Sequence, residues 1–341
     1  MPAEWETHQS TWIAWPHEET DYPGKLDAVR WVYAEIVRLL STSERVNILV
    51  QNAELEESAR RYIALHRGVA GNIFFHRVKT DRAWLRDSMP IGVFDAAGEK
   101  SWISWDFKAW AKYENFLCDE KVFENVGEIT GLPILDAKYS RFDIKVSLEG
   151  GSIDVDGEGT LLTTEECLLS TIQERNHGFG REDYEQVFSE YLGANKVIWL
   201  GRGCVGDDTH GHIDDIARFV APGKVLLAYE ANKDDENHEA SEDNYRRLLT
   251  ARDAKGRKLE VIKLPMPNGL WWGDDRLPAS YANFYISNSV VIVPTFNDEN
   301  DRTALEIIAA QFPGRRTVGI HAVDLVLGLG TLHCLTQQEP G

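Results

Sequence analysis

Residues 196–229 read KVIWLGRGCVGDDTHGHIDDIARFVAPGKVLLAY, and the order of patterns inside this stretch decides the fold. The opening run, KVIWLG, is short, apolar and rich in β-branched and aromatic residues, as a buried strand requires. A polar gap dense in Gly, Asp and His follows. Two more apolar segments then flank a turn, so DIARFVAPGKVLLAY reads as a strand pair. Just upstream, residues 182–192 carry helical periodicity. Helix, strand, polar gap and strand pair make up one unit.

The unit recurs. Helical periodicity is found around residues 54–66, 120–131, 182–192, 240–252 and 302–312, with an earlier instance over about 26–41. The strands that follow these five helices are NIFFHRV, LPILDA, KVIWLG, LEVIKLP and TVGIHA. Strand pairs are predicted in MPIGVFDAAGEKSWISW, SLEGGSIDVDGEGTLLTT, DIARFVAPGKVLLAY and ANFYISNSVVIVPTF. The fifth unit retains only TLHCLTQQ, so QSTWIAW near the N-terminus is expected to supply its missing strand. A supersecondary unit repeated five times at a period of roughly 60 residues implies an α/β fold with radial or stacked packing.

Radial packing would bring the start of each second strand to a common axis. At those places stand Asp87 in WLRDSMP, Glu149 in LEGGSI, His212 and Asp214 in DDTHGHIDD, and Cys334 in LHCLTQQ, while the fourth unit offers Asn283 or Arg276. A thiolate is a strong nucleophile and an imidazole carries protons, so Cys334 and His212 form a candidate nucleophile and acid/base pair. His333 is a poorer partner if it lies in a strand, where neighbouring side chains alternate faces. Carboxylates grip a planar cationic guanidinium in bidentate fashion. Asp87 and Asp214 could hold its two edges, with Glu149 orienting His212 or accepting the remaining N–H.

Composition sets outer bounds. The chain of 341 residues, 43% of them hydrophobic, can bury a sizeable core as one large domain or two. A formal net charge of -19 argues against nucleic acid and anionic membranes as partners, since both are bound through basic patches. Cys118, Cys167, Cys204 and Cys334 include no C-x-x-C pair, which suggests neither a disulfide framework nor a zinc ribbon. No basic n-region precedes an apolar run at the N-terminus, and no stretch approaches the roughly 18 apolar residues of a membrane span. A soluble protein of a reducing compartment, the cytoplasm, is expected.

The segments MPAEWETHQSTWIAWP, WLRDSMP, LEGGSIDVDGEGTLLTTEECLL, DDTHGHIDDIARF, PASYANFYI and GLGTLHCLTQQEP resemble, in this order and over essentially the whole chain, those of bacterial agmatine deiminases and the related peptidyl-arginine deiminase-like proteins. The resemblance implies a five-bladed α/β propeller with pseudo-fivefold symmetry, of the guanidine-modifying superfamily, and a single catalytic domain over residues 1–341. It implies that Cys334 is the nucleophile, His212 the general acid/base, Asp87 and Asp214 the guanidinium clamps, Glu149 an active-site glutamate and Asp208 a substrate-binding residue. The activity it implies is hydrolysis of agmatine to N-carbamoylputrescine and ammonia through a covalent cysteine intermediate, with arginine or peptidyl-arginine as the alternative substrate. No cofactor and no metal is expected. The expected partner is a small cationic guanidine, and self-association into a homo-oligomer is left open. The family usually has Gly at Met89, His at Asp154 and Asn-Ala-Trp-Gly at Lys108 to Ala111, so Met89 and Lys108 are the positions to check near the substrate tail.

Other readings of the same residues compete with this one. HGHIDD approaches the H-x-H-x-D-H signature of zinc hydrolases, but no second cluster of histidines accompanies it. Asp207, Asp208, Asp214 and Asp215 could suggest calcium, yet lack the spacing of an EF-hand loop. The tryptophans could form a cation–π box in a protein that only binds its ligand, although large aromatics are more often core. Cys118, Cys167 and Cys204 carry no motif that marks them as reactive and are expected to be packing residues.

Overall fold

Residues 1–341 are described by a computed structural model. Helices form at Leu26–Leu40, Ala53–Leu65, Val122–Thr130, Arg181–Leu192, Asn237–Thr250 and Asp301–Gln311, close to where the periodicity places them. Helix Leu26–Leu40 shows why. Leu26, Val29, Tyr33, Ile36, Val37 and Leu40 recur at spacings of three and four and are buried, while Glu35 and Arg38 pair on the solvent side. Helices Val122–Thr130 and Arg181–Leu192 stop at Gly131 and Gly193, whose left-handed φ values of 69° and 68° suit glycine.

Each repeat builds its own small sheet with one pairing rule. The middle strand runs antiparallel to the strand before it and parallel to the strand reached through a helix. Lys100–Ser104 lies in this way between Ile91–Phe94 and Ile134–Asp136. Thr160–Thr164 lies between Asp154–Val155 and Lys196–Leu200. Lys224–Tyr229 lies between Ala217–Ala221 and Glu260–Pro265. Val290–Thr295 lies between Tyr285–Ile286 and Arg316–His321. These sheets remain separate, and the architecture is mixed α/β. No helix is long and apolar enough to cross a membrane.

The remaining sheet joins the chain ends. His8–Ala14 pairs antiparallel with Gln337–Pro340 and parallel with Arg45–Val50, which continues to Ile73–Arg77. The N-terminal segment therefore does complete the last repeat. The boundary expected from TLHCLTQQ needs correction, because Leu332–Leu335 is one helical turn and the strand begins only at Gln337. Asn283 is the cause: its side-chain oxygen accepts from His333 N–H (2.9 Å) and its backbone carbonyl from the same group (3.1 Å), so that N–H is diverted from any ladder.

A buried carboxylate ties the repeats together. Glu4 Oε1 accepts Ile286 N–H (2.8 Å) and lies 3.0 Å from Arg218 Nη2, while Glu4 Oε2 lies 2.8 Å from His333 Nε2 and 3.3 Å from Arg86 Nη2. Arg218 reaches on to Asp154 (3.2 Å), one of the positions at which the sequence departs from the pattern it resembles. Asp154 also accepts Phe219 N–H, so the departure serves this structural layer.

The terminal sheet meets its neighbour at Gly92, where a Cβ would sit 2.4 Å from Pro340 Cδ and 3.2 Å from the Trp102 ring. Gly92→Ala is expected to push the terminal strand outward at a cost of about 1–3 kcal/mol, read as a lowered thermal midpoint. An unchanged midpoint would show that the contact at Pro340 yields freely.

Candidate active site

Three short helical turns, Leu85–Ser88, Gly150–Ser152 and Ile213–Asp215, directly precede the first strands of three sheets, and Leu332–Leu335 precedes Gln337–Pro340 in the same way. Asn283 stands two residues before the equivalent strand Tyr285–Ile286. The polar gap of every repeat thus delivers its functional side chain from one equivalent place. Arg276, the other candidate of the fourth repeat, instead pairs with Asp235 (2.8 Å) away from this cluster.

The side chains converge closely. Cys334 Sγ accepts from Asn283 Nδ2 (3.0 Å) and lies 3.6 Å from Asp214 Oδ2. Asp214 Oδ2 also meets His333 Nδ1 at 2.7 Å, which makes His333 a partner of the carboxylate. His212 Nδ1 faces Asp87 Oδ2 at 3.8 Å, and Nε2 faces Glu149 Oε2 at 3.5 Å. Asp87 is held from both sides, by Gly151 N–H on Oδ1 (2.9 Å) and Trp110 Nε1–H on Oδ2 (2.8 Å). Glu149 is held by Arg175 Nε at 3.0 and 3.2 Å.

The loop that presents His212 has a local cause. Asp207 accepts N–H groups from Thr209, Gly211 and His212, and the bend it closes uses left-handed backbone at His210 (φ 67°) and Gly211 (φ 95°). The four acidic residues of this segment are engaged separately: Asp207 in this loop, Asp208 with Tyr113, Asp214 with His333 and Asp215 with Asn283. His210 bonds Ser170 (2.9 Å) and does not join His212, so HGHIDD does not assemble as a pair of convergent imidazoles.

Burial and crowding of like charge set the proton affinities. Burial raises Asp87 to about 6, with Asp214 and Glu149 adding to the rise and His212 opposing it. Burial also pushes the Cys334 thiol well above the ordinary cysteine range, and Asp214, Asp215 and Asp87 push it further. Burial would lower His212, but Asp87, Cys167 and Glu149 outweigh it and hold the imidazole well above its usual value. For Glu149, burial is outweighed by Arg175 and His212, and the carboxyl titrates at about 2. These shifts favour the protonated forms of both the Cys334 thiol and the His212 imidazole.

The cleft leading to Cys334 is lined by Asp21, Arg82, Trp84, Asp87, Trp110, Tyr113, Asp208, Thr209 and residues 327–330. Asp208 lies at this cleft as the sequence suggested, but its carboxylate is already engaged by Tyr113 and, at 3.4 Å, by Lys112. Met89 and Lys108 do not line it: Met89 is buried in the core and Lys108 pairs with Asp106 at the surface. Trp110, from the same run as Lys108, does. It sits within three consecutive left-handed residues, Ala109 to Ala111, and Gln173 Nε2 fastens its carbonyl (2.9 Å) to that of Asp208 (3.0 Å). Arg175, Trp110 and Arg82 were missed in the sequence, and only Trp110 had a signal, its place in a segment of known resemblance. Cys167, expected to be a packing residue, is buried but lies against Glu149 and His212. A larger polar depression of about 1000 Å³ around His17, Arg30, Asn52 and Arg61 shares no residue with the cleft.

Comparison with known proteins places this α/β chain in the deiminase class of enzymes. The sequence matches the Porphyromonas-type peptidyl-arginine deiminase family over residues 1–340. It is 35% identical to the agmatine deiminase of Pseudomonas aeruginosa (strain LESB58), with 100% of this chain and 95% of that protein aligned. The structure is similar to agmatine deiminase of Enterococcus faecalis, with a TM-score of 0.90 at 35% identity, covering 100% of this chain and 95% of the other. It is also similar to a substrate-bound agmatine deiminase of C. jejuni, with a TM-score of 0.87 at 26% identity over 100% and 96% of the two chains. The chain belongs to the Porphyromonas-type peptidyl-arginine deiminase family.

Gly151 shows how little slack the site has. A Cβ there would lie 2.6 Å from His212 Nδ1, 2.9 Å from Asp87 Oδ1 and 3.1 Å from Asp214 Oδ2. Gly151→Ala is expected to reduce kcat/KM by at least about 100-fold, since a displacement of about 1 Å at the reacting groups has that effect. The far-ultraviolet circular dichroism should stay unchanged. Wild-type turnover in the variant would mean that the three side chains are not held where they act.

Proposed function

We propose that the protein hydrolyses the guanidinium group of agmatine, giving N-carbamoylputrescine and ammonia. The observation that carries this reading is the placement of a nucleophilic sulfur between two carboxylate-bearing turns: Cys334 lies 3.6 Å from Asp214, and Asp87 lines the same cleft. Asp87 and Asp214 take the N–H edges of the planar cation and present its central carbon to sulfur. The cation also reverses the field that keeps Cys334 protonated, so substrate binding favours the thiolate.

Chemistry then needs two proton transfers at one imidazole. The thiolate attacks the guanidinium carbon and forms a tetrahedral adduct. His212 donates its proton to the departing nitrogen, the C–N bond breaks and ammonia leaves. An S-alkylthiouronium remains on Cys334. Water attacks its carbon while His212 takes up one water proton, and the C–S bond breaks to return the thiolate as the remaining hydroxyl proton passes to solvent and the neutral ureido product is released. Glu149, held ionised by Arg175, stabilises the imidazolium form that both steps use.

For the substrate tail, the cleft carries three carboxylates, Asp21, Asp87 and Asp208, against the one guanidinium of Arg82, and this net excess favours a free amine over the carboxylate of arginine. Arg82 is the counterweight in the cleft, but its guanidinium is paired with Asp21. Arg202, Arg276 and Arg302 pair with Glu239, Asp235 and Glu306 and line no part of it. The similar proteins of Pseudomonas aeruginosa, Enterococcus faecalis and C. jejuni named above are agmatine deiminases, which supports the same reading. We read the five equivalent sheets as the blades of a five-bladed propeller and residues 1–341 as its single catalytic domain, acting in the cytoplasm on a small cationic guanidine.

The test compares ammonia release from agmatine, arginine and an arginyl peptide. Agmatine should show the highest kcat/KM, and a higher value for either competitor would overturn the assignment. Cys334→Ser should lower turnover by several orders of magnitude with the fold intact, and the mass gained by wild type from a haloacetamidine should be lost in the variant.

The pH profile follows from the shifted thiol. A raised thiol keeps the inactive protonated form to higher pH, so kcat/KM, which reports the free enzyme, should climb through the alkaline range above ordinary cysteine behaviour. A plateau already reached near neutrality would contradict the assigned resting state.

A further inference from the structure

A second thiol stands behind the proton-carrying imidazole. Cys167 lies in the short helix Glu165–Leu169, where Thr164 accepts its N–H (3.0 Å) and fixes the turn. One ligand atom each from Cys167, His212 and Glu149 lies within 4.8 Å of the others, and all three residues are buried. The reaction described above makes no use of this sulfur. A second observation concerns His212 itself: it is 1% exposed, and neither ring nitrogen has a hydrogen-bond partner. Its nearest carboxylates, Glu149 at 3.5 Å and Asp87 at 3.8 Å, face the ring without closing a hydrogen bond, and such a loosely held buried imidazole can take a ligand.

Sulfur, nitrogen and carboxylate oxygen form a donor set suited to a zinc-type cation. Zinc takes thiolate at about 2.3 Å and imidazole or carboxylate at about 2.0–2.2 Å in tetrahedral geometry, so its ligands sit roughly 3.5 Å apart. The gap between His212 Nε2 and Glu149 Oε2 is already 3.5 Å. Arg175 stays on Glu149, which disfavours hard dications and leaves thiolate and imidazole as the selecting ligands. The other donor cluster, Asp214, Asp215 and Cys334, is less suited because Asn283 already engages both Asp215 and Cys334 and His333 engages Asp214.

We infer that Glu149, Cys167 and His212 form a site for a soft divalent cation of the zinc type, and that its occupancy inhibits the enzyme. The metal binds the Cys167 thiolate and neutral His212. The thiol proton and the imidazolium proton pass to solvent, so affinity rises with pH. No electron is transferred. Inhibition follows because His212 cannot carry a proton while it ligates a metal.

Binding is read without turnover, which separates failure of this inference from failure of the agmatine assignment. Cobalt(II) is added to the full chain carrying Cys334→Ser, in which the nucleophile can give no sulfur signal. A near-ultraviolet sulfur-to-cobalt charge-transfer band is expected, displaced by zinc and absent when Cys167→Ser is added. Cys118 and Cys204 are present in both proteins and serve as the control. If the double variant does not fold, His212→Asn on the Cys334→Ser background should weaken cobalt binding at least about tenfold, since loss of even an outer partner costs 10–100-fold. In the wild type, zinc should suppress ammonia release and a chelator should restore it. A band that disappears with Cys334→Ser alone would move the metal to the nucleophile, and a band that survives Cys167→Ser, or no band at all, would overturn the site.

Discussion

The carboxylate of Glu4 is the contact on which the arrangement depends. It is buried, and burial alone would raise its proton affinity, but Arg218, His333 and Arg86 reverse that and hold it well below the usual carboxylate range. Those partners, with the backbone of Ile286, come from four different repeats. The apolar cores run from one repeat into the next, but hydrophobic packing is non-directional and constrains how the repeats are turned toward one another only weakly. A hydrogen-bonded charge cluster is directional and does set this. Its cost is sensitivity, because removing one partner of a buried ion pair typically loses about 3–5 kcal/mol.

The same cluster reaches the chemistry in two steps. His333 stands between Glu4 and Asp214, and Asp214 adjoins the Cys334 sulfur. The turn that carries both His333 and Cys334 is fastened by Asn283, which also donates to the sulfur. Position and electrostatics are therefore set together. Burial, with the carboxylates of Asp214, Asp215 and Asp87, pushes the thiol well above the usual cysteine range. A site with this charge balance favours guanidinium over neutral amides before any shape selection acts.

Much of this was legible along the chain because it rests on local periodicity. The helix bounds follow from apolar spacing of three and four, and the strand pairs from short alternating or continuous apolar runs around turns. Asp87, Glu149, His212, Asp214 and Cys334 could be singled out because a repeat makes equivalent positions comparable. The error at Leu332–Leu335 shows the limit: a four-residue segment has too little periodicity to separate a helical turn from a strand, and the deciding partner, Asn283, is about 50 residues away. The nature of that turn changed the role of His333, which a strand would have turned away.

By itself the sequence determined the repeated helix and strand order, the α/β class and the residue types available for chemistry, since all of these depend on near neighbours. Tertiary structure alone decided which side chains meet. Arg175 on Glu149, Trp110 on Asp87, Tyr113 on Asp208 and Cys167 beside His212 join segments 26, 23, 95 and 45 positions apart in the chain. No local pattern encodes such pairs, because a hydrogen bond or an ion pair between distant segments exists only once packing has brought their turns to one axis.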